Sequence, residues 1–135
     1  MKRVFVSSCR IDAPNAAALI SRLRSEDFFV MHSPRNPSDG KDERWRTWYD
    51  KGCREEMEQV EIFITVISYA WDCSTWMASE GHEALKLMAA GKLRKMYFYD
   101  PEHIEVKAKS MVLYMKEPLP DNLDEVIRVL KEEVS

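Results

Sequence analysis

The sequence has few of the residues that would point to a secreted, metal-binding or membrane protein. Its 135 residues include three cysteines, Cys9, Cys53 and Cys73, which are odd in number and form no C-x-x-C pair. This spacing argues against a disulfide framework and against a zinc site. No apolar run approaches the roughly 18 residues of a membrane span. The apolar run that follows Met1-Lys2-Arg3 is three residues long, whereas a signal peptide needs roughly 7–15. We therefore expect a cytoplasmic protein with no metal and no membrane contact.

A strong charge excess and glycine-rich motifs are also missing. The chain carries 20 Lys and Arg against 23 Asp and Glu, so it lacks the basic footprint of a nucleic-acid-binding protein. Neither G-x-G-x-x-G nor G-x-x-x-x-G-K-[ST] occurs, which argues against a Rossmann dehydrogenase and a P-loop NTPase. A G-x-S-x-G nucleophile elbow is absent too. With 45% hydrophobic residues, the composition predicts one globular domain over residues 1–135.

What the chain does contain is a regular alternation of apolar strands and amphipathic helices. Strands are predicted at 4–6, 28–31, 62–67, 96–99 and 111–115, and helices at about 14–23, 45–59, 75–90 and 123–134. The uncharged run at 62–67 is typical of a central strand, and Pro118 and Pro120 are expected to mark the exit from the sheet. This alternation predicts a single α/β domain with a five-stranded parallel sheet in flavodoxin-like order and helices on both faces.

Three polar segments are expected to meet at one edge of this sheet. Ligands of open parallel sheets bind beyond the carboxyl ends of the strands, where the strand order reverses. In the predicted order this place lies between the first and third strands, which are followed by residues 7–12 and 68–76. The turn-rich loop at 33–44, after the second strand, reaches the same edge. The sequence therefore predicts a crevice lined by all three segments.

Glu80 is the carboxylate that we expect to act in this crevice. It lies about one turn into a predicted helix, and Trp76 precedes it by four residues on the same helix face. A carboxylate beside aromatic residues such as Tyr69 and Trp71 suits binding of ribose hydroxyls, or stabilisation of the oxocarbenium that forms when an N-glycosidic bond breaks. Spacing alone favours an ordinary solvated glutamate, and Glu83 is a second carboxylate nearby.

Several segments, taken in order, resemble Toll/interleukin-1 receptor (TIR) domains. Residues 4–12, VFVSSCRID, are similar to the family's opening VFISYSxxD, although Ser8 replaces the usual aromatic residue. Asp39-Gly40 followed by Trp45 resembles the residues that close the loop after the second strand. Residues 66–80, VISYAWDCSTWMASE, resemble viSxxyxxSxWcxxE. The resemblance covers about residues 3–100 and implies the same flavodoxin-like fold.

The resemblance implies an enzyme that cleaves NAD⁺ at the nicotinamide–ribose bond, and some family members cyclise the product into a signalling nucleotide. The glutamate of the W-x-x-x-E motif, Glu80 here, would be the catalytic residue. The residues expected to form the substrate site are Ser7, Ser8, Arg10, Asp39, Trp45, Tyr69, Trp71, Ser74 and Trp76. NAD⁺ is the substrate under this interpretation, so no cofactor is expected.

The resemblance also implies a partner and leaves two alternatives open. Small stand-alone bacterial TIR proteins (Thoeris-like) serve antiphage defence by making a signal for a separate effector, and many TIR enzymes self-associate. Other members are non-catalytic modules that assemble through the loop after the second strand, here 33–44. Residues 80–84, EGHEA, are also similar to the E-[IL]-G-x-A element of nucleoside 2-deoxyribosyltransferases. A deoxyribosyltransferase or nucleotide N-glycosidase that uses Glu80 is therefore the remaining alternative.

Overall fold

The structure is a computed structural model that describes residues 2–8, 13–32, 58–67, 75–103 and 117–134, with the backbone alone at 13, 75–80 and 134. Strands and helices alternate along these segments. In chain order they are β1 (Lys2–Ser7), α1 (Ala13–Ser25), β2 (Phe28–His32), β3 (Ile62–Val66), α2 (Thr75–Ala89), β4 (Lys95–Tyr99), β5 (Glu117–Pro118) and α3 (Leu123–Val134). None of the helices in the described segments is long and apolar enough to cross a membrane.

The five strands form one parallel sheet with the order β2-β1-β3-β4-β5. This confirms the predicted flavodoxin-like α/β domain. β3 lies at the centre, and all five of its residues are buried. A strand that is covered on both faces has no solvent side, which explains why Ile62–Val66 shows a continuous apolar run with a single hydroxyl rather than an alternation of polar and apolar residues.

One face of the sheet packs against α1 and α3. The buried side chains of α1 are Ala16, Leu19 and Leu23, which recur at helical spacing as predicted. Asn122 caps the amino terminus of α3, because its Oδ1 accepts hydrogen bonds from the backbone N–H groups of Asp124 (2.8 Å) and Glu125 (3.4 Å). The strand residues in this core are Val4, Val6, Phe28, Val30, Ile62, Ile64, Val66, Tyr97 and Tyr99, and α3 adds Val126, Ile127 and Leu130.

The opposite face packs against α2. Its centre is a stacked pair of rings, Phe5 on β1 and Phe63 on β3, whose centroids are 5.6 Å apart with an interplanar angle of 9°. Ala84 and Leu87 of α2 are buried in the same cluster. Met96, Val60 and Leu93 complete its buried part. The sheet is therefore covered on both sides around β3, as the sequence predicts.

The fifth strand differs from the sequence-based expectation. The predicted strand at 111–115 lies outside the described residues, and the strand that the structure assigns is Glu117–Pro118. Pro118 pairs with Phe98 instead of only marking the exit from the sheet. A proline without a backbone N–H is tolerated here because β5 is the last strand in the order. The backbone N–H of Leu119 continues the pairing by donating to the Phe98 carbonyl at 2.8 Å.

Two other predicted segments lie wholly or largely outside the described residues. The loop at 33–44 is one of them, and the helix predicted at 45–59 is the other. Only the last two residues of that predicted helix are described, and Glu58 and Gln59 form a turn. The predicted helix therefore extends too far at its carboxyl end, since Glu58 and Gln59 are not helical.

α2 ends as the sequence predicts, at Ala89 just before Gly91. The N–H of Gly91 donates to the carbonyl of Met88 (3.0 Å), and the N–H of Lys92 donates to the carbonyl of Leu87 (2.8 Å). These two bonds form a Schellman motif, which requires a left-handed residue after the helix. Gly91 supplies it with a φ of +74°.

Replacing Gly91 with alanine should lower the free energy of unfolding by about 1–2 kcal/mol, because a Cβ disfavours the left-handed conformation. Beyond Gly91 and its two chain neighbours, no heavy atom of the described residues lies within 4 Å of the added Cβ, so the cost is conformational and not steric. Urea unfolding followed by circular dichroism measures it. Gly91→Asn is the matched control and should lose less, since asparagine tolerates this conformation. Equal stability of Gly91→Ala and the wild type would contradict the assignment.

Because Tyr97 is buried, the free energy of unfolding should depend on pH in the alkaline range. Burial, and secondarily the carboxylates of Glu133 and Glu117, raise the pKa of Tyr97 from 10.0 to about 12. The native state therefore holds the phenol proton more tightly than the unfolded chain. The resulting stability is fully present below about pH 10 and is lost as the pH rises through about 12.

We expect the stability difference between the wild type and Tyr97→Phe to shrink over this alkaline interval. Both proteins contain the same other titrating groups, so the difference isolates the Tyr97 phenol. Urea unfolding at a series of pH values measures the difference, and absorbance at 295 nm follows phenolate formation. A difference that stays constant with pH would show that the native pKa of Tyr97 is not raised.

Candidate functional site

The strand order places the candidate site at the carboxyl ends of β1 and β3. The chain leaves β1 to form β2 on one side, whereas β3 lies on the other side, so the order reverses between β1 and β3. Connections diverge at this point and leave a crevice beyond the strand ends. β1 ends at Ser7 and β3 ends at Val66. This is the location that the sequence predicts.

Two buried hydroxyl side chains lie side by side at this edge. Ser7 pairs in register with Thr65, and the two residues are 0% and 1% exposed. Each follows a ring of the stacked pair by two residues, so both lie on the face of the sheet that α2 covers. They are the two buried polar residues in the described part of the chain. Ser8, the next residue, is half-buried.

α2 places Glu80 on its sheet-facing side. Glu80 precedes Ala84 by four residues and Leu87 by seven, and this spacing returns to the same side of a helix. Ala84 is fully buried, Leu87 is 5% exposed, and both belong to the core between α2 and the sheet. Position 80 therefore occupies a face that packs inward, whereas His82 is exposed.

The direction of α2 brings Glu80 near the carboxyl edge of the sheet. α2 connects β3 to β4, which are parallel strands, so the helix runs back from the carboxyl edge towards the amino edge. Glu80 is the sixth residue of the helix and lies in its amino-terminal half. Glu83, the second carboxylate, is half-buried and lies one turn further on.

The predicted site residues divide into two groups. Ser7 and Ser8 are described in full, and Trp76 and Glu80 are placed on α2 by the backbone. The remaining predicted residues lie outside the described residues: Arg10, Asp39, Trp45, Tyr69, Trp71 and Ser74. The roles of the residues in both groups stay predictions. No group of three or more His, Cys, Asp or Glu residues in the described segments is arranged to hold a metal ion.

Thr65 is the residue that sequence reasoning missed. The run at 62–67 predicts a central strand because it is apolar. The same apolar character draws attention away from Thr65, which carries the single hydroxyl in the run. Its position near the end of the strand, in the same register as Ser7, becomes evident only from the pairing of β1 with β3. A lone polar residue near the carboxyl end of an otherwise apolar central strand is the sequence signal that would have singled it out.

Polar contacts also connect the turn after β4 to the neighbouring helices. The Tyr99 hydroxyl donates to the backbone carbonyl of Asp121 at 3.4 Å, and the His103 Nε2 atom pairs with the Asp121 carboxylate. The Asn15 amide donates to the Glu102 carboxylate at 3.4 Å. These contacts join the β4 end of the carboxyl edge to α1 and to the residues before α3, away from the β1–β3 crevice.

No protein-family model matches this chain, and no curated protein matches it in sequence. Among solved structures, the chain is similar to the TIR domains of the activated Roq1 resistosome, a complex that directly recognises the pathogen effector XopQ. The TM-score is 0.56 at 19% identity, and the match covers 75% of this chain. This chain spans 60% of the length of that chain. The likeness shows a TIR-like fold, in agreement with the motif resemblance.

Ala84→Leu should destabilise the protein by about 1–3 kcal/mol, because a larger side chain overpacks the interface between α2 and the sheet. Ala84 has no exposed surface and belongs to the same buried cluster as the stacked phenylalanines. His82→Leu adds apolar volume to an exposed position of the same helix and serves as the matched control. Urea unfolding of both variants measures the effect. If the two variants are equally stable, α2 does not pack through this face.

Proposed function

We propose that this protein is a TIR-type NAD⁺ glycohydrolase or cyclase that cleaves the nicotinamide–ribose bond with Glu80 as the catalytic carboxylate. The observation that carries this proposal is the register of α2. The glutamate of the W-x-x-x-E motif shares its helix face with Ala84 and Leu87, which are buried between α2 and the sheet, and this register supports the proposal. Carboxylates are rarely placed on such a face without a specific role. The TIR-like fold is the second support.

The proposed chemistry requires one carboxylate and a site that excludes bulk water but admits the one water molecule that reacts. When the C–N bond breaks, its electron pair leaves with the nicotinamide nitrogen, and positive charge develops on the ribose as an oxocarbenium. The negative Glu80 carboxylate stabilises that charge as it forms. Water then adds to C1′ and loses a proton, so the products are nicotinamide, ADP-ribose and a proton. Attack by a nucleophile of the same molecule in place of water gives a cyclic product.

The other predicted site residues have supporting roles in this proposal. Trp76, Tyr69 and Trp71 would supply aromatic surface, and Arg10 would bind the pyrophosphate. Ser8, Ser74, Asp39 and Trp45 would complete the substrate site. NAD⁺ is the substrate, and none of these steps draws on a cofactor or a metal.

We further propose that the protein acts in the cytoplasm as a signalling component of antiphage defence. A protein of this kind works through a nucleotide product that a separate effector detects, or through self-association. The similar TIR domains come from a resistosome, which supports an assembly role for the fold. The loop at 33–44 is the segment that we expect to mediate assembly.

The decisive experiment compares the wild type with Glu80→Gln and Glu83→Gln. The full chain is incubated with NAD⁺ over a range of protein concentrations, and nicotinamide release is followed by chromatography. We expect Glu80→Gln to lose about 10²–10³-fold in rate, as is usual when a charge-stabilising group is removed. Glu83→Gln, a matched change one turn away, should stay near the wild-type rate.

The other outcomes identify the alternatives. Equal rates of nicotinamide release by the wild type and Glu80→Gln under every condition would refute the catalytic role. Release or exchange of a free nucleobase from nucleosides, with NAD⁺ left intact, would favour a deoxyribosyltransferase or nucleotide N-glycosidase. Concentration-dependent association that substitutions in 33–44 abolish, without turnover of either substrate, would favour a non-catalytic assembly module.

A further inference from the structure

We infer that two copies of this protein associate through the outer edge of β2, which pairs in antiparallel register with β2 of the second copy. The two five-stranded sheets then form one continuous sheet across a two-fold axis. This interface is separate from the loop at 33–44, and it does not depend on cleavage of NAD⁺. Its basis is the composition of β2, the exposure of Phe29 and the symmetry of the strand.

The two edge strands of the sheet differ in how well they are protected from further pairing. β5 has two residues, and Pro118 has no backbone N–H to donate to another strand. β2 has five residues, Phe28–His32, with no proline, glycine, lysine or carboxylate among them. Its register with β1 advances one residue at a time, so the strand contains no bulge. β2 therefore lacks the sequence features by which natural proteins protect an edge strand.

The backbone of β2 can form a second set of hydrogen bonds. Within the described residues, β1 is the one strand that borders β2. An edge strand directs the N–H and C=O groups of alternate residues away from its neighbour, where they bond to water or to another strand. Pairing with a second copy replaces water at these groups, so the backbone contributes directly to association.

Phe29 supplies an apolar anchor on the same strand. Its side chain is 45% exposed, and it is the exposed large hydrophobic residue in the described part of the chain. Its in-register partner on β1 is Arg3, whose guanidinium carbon lies 5.7 Å from the ring centroid. The Nη1 group of Arg3 also donates to the Oε1 atom of Gln59 at 2.7 Å. These contacts hold the ring in place, so little side-chain freedom is lost when a second copy covers it.

The pattern along β2 is self-complementary. A register centred on Val30 uses the whole strand, and it brings outward-directed residues of one copy against outward-directed residues of the other. Phe29 then lies opposite Met31 of the second copy. Both residues are on the sheet face of Phe5, the in-register partner of Met31. The two Phe29 rings become diagonal neighbours at about 7–8 Å, within reach of aromatic side chains.

The expected dimer is weak. Five paired residues and a small apolar cluster cover less than the roughly 1,600 Å² of a standard interface. We therefore expect a dissociation constant between about 10 µM and 1 mM, so that the dimer fraction rises with protein concentration.

The test compares the wild type with Phe29→Glu by sedimentation velocity of the full chain at concentrations up to about 1 mM. In the monomer the new carboxylate has Arg3 as its in-register neighbour, whereas in the dimer two carboxylates become diagonal neighbours. We expect the dissociation constant to rise about 100-fold, roughly tenfold for each lost ring, so that the dimer disappears. His82→Glu makes the same charge change at an exposed position of α2 and should dimerise like the wild type.

Hydrogen exchange followed by NMR locates the interface. In the wild type, the amides of residues 28–31 that do not pair with β1 should exchange more slowly at high protein concentration. In Phe29→Glu their exchange should not depend on concentration. Urea unfolding verifies that the variant is folded, and Phe29→Tyr, which keeps the ring, should dimerise like the wild type.

Three results would overturn pairing through β2. They are a wild type that stays monomeric up to about 1 mM, a dimer whose β2 amides exchange at the monomer rate, and a dimer that Phe29→Glu leaves intact. If substitutions in 33–44 abolish that last dimer, the loop mediates association instead. Nicotinamide release is measured separately, so a failure of the proposed enzymatic activity does not affect this outcome.

Discussion

The packing of α2 against β1 and β3 is the contact on which the rest of the candidate site depends. The stacked rings of Phe5 and Phe63 form a flat apolar surface at the centre of the sheet. The α2 face that meets this cluster carries small residues at Gly81 and Ala84, both buried. Small side chains permit a close approach of helix and sheet, and close packing of this kind leaves little freedom for rotation about the helix axis. The position of Glu80 follows from that rotation.

Most of the fold was predictable because burial determines the pattern of residues along each element. β3 is covered on both faces, and β1 and β4 are covered over most of their length, so a strand such as Ile62–Val66 shows a continuous apolar run. On α1 only one side is buried, and Leu19 and Leu23 accordingly lie on one face of the helix. β5 was not predictable at its observed place, since two residues carry no periodicity and one of them is Pro118. Its pairing depends on β4 and not on its own sequence.

The candidate site was predictable in part. The motif residues and the reversal of strand order point to Glu80 and Ser7 from the sequence alone. Thr65 was not identified from the sequence, because its place beside Ser7 depends on the register between β1 and β3. That register is a property of two strands together and cannot be read from one of them. The burial of Ala84 and Leu87 shows which side of α2 faces the sheet, and spacing along the sequence does not show this. Local spacing assigns residues to one helix face, whereas packing decides which face turns inward.

The central position of β3 affects the order in which the parts of the domain unfold. Edge strands and chain ends open in local fluctuations, but a fully buried strand between two partners exchanges its amide protons only when the whole domain unfolds. β3 carries Thr65 and leads directly to the crevice. The floor of the candidate site therefore belongs to the part of the protein that opens last. That floor keeps its shape until the fold itself is lost.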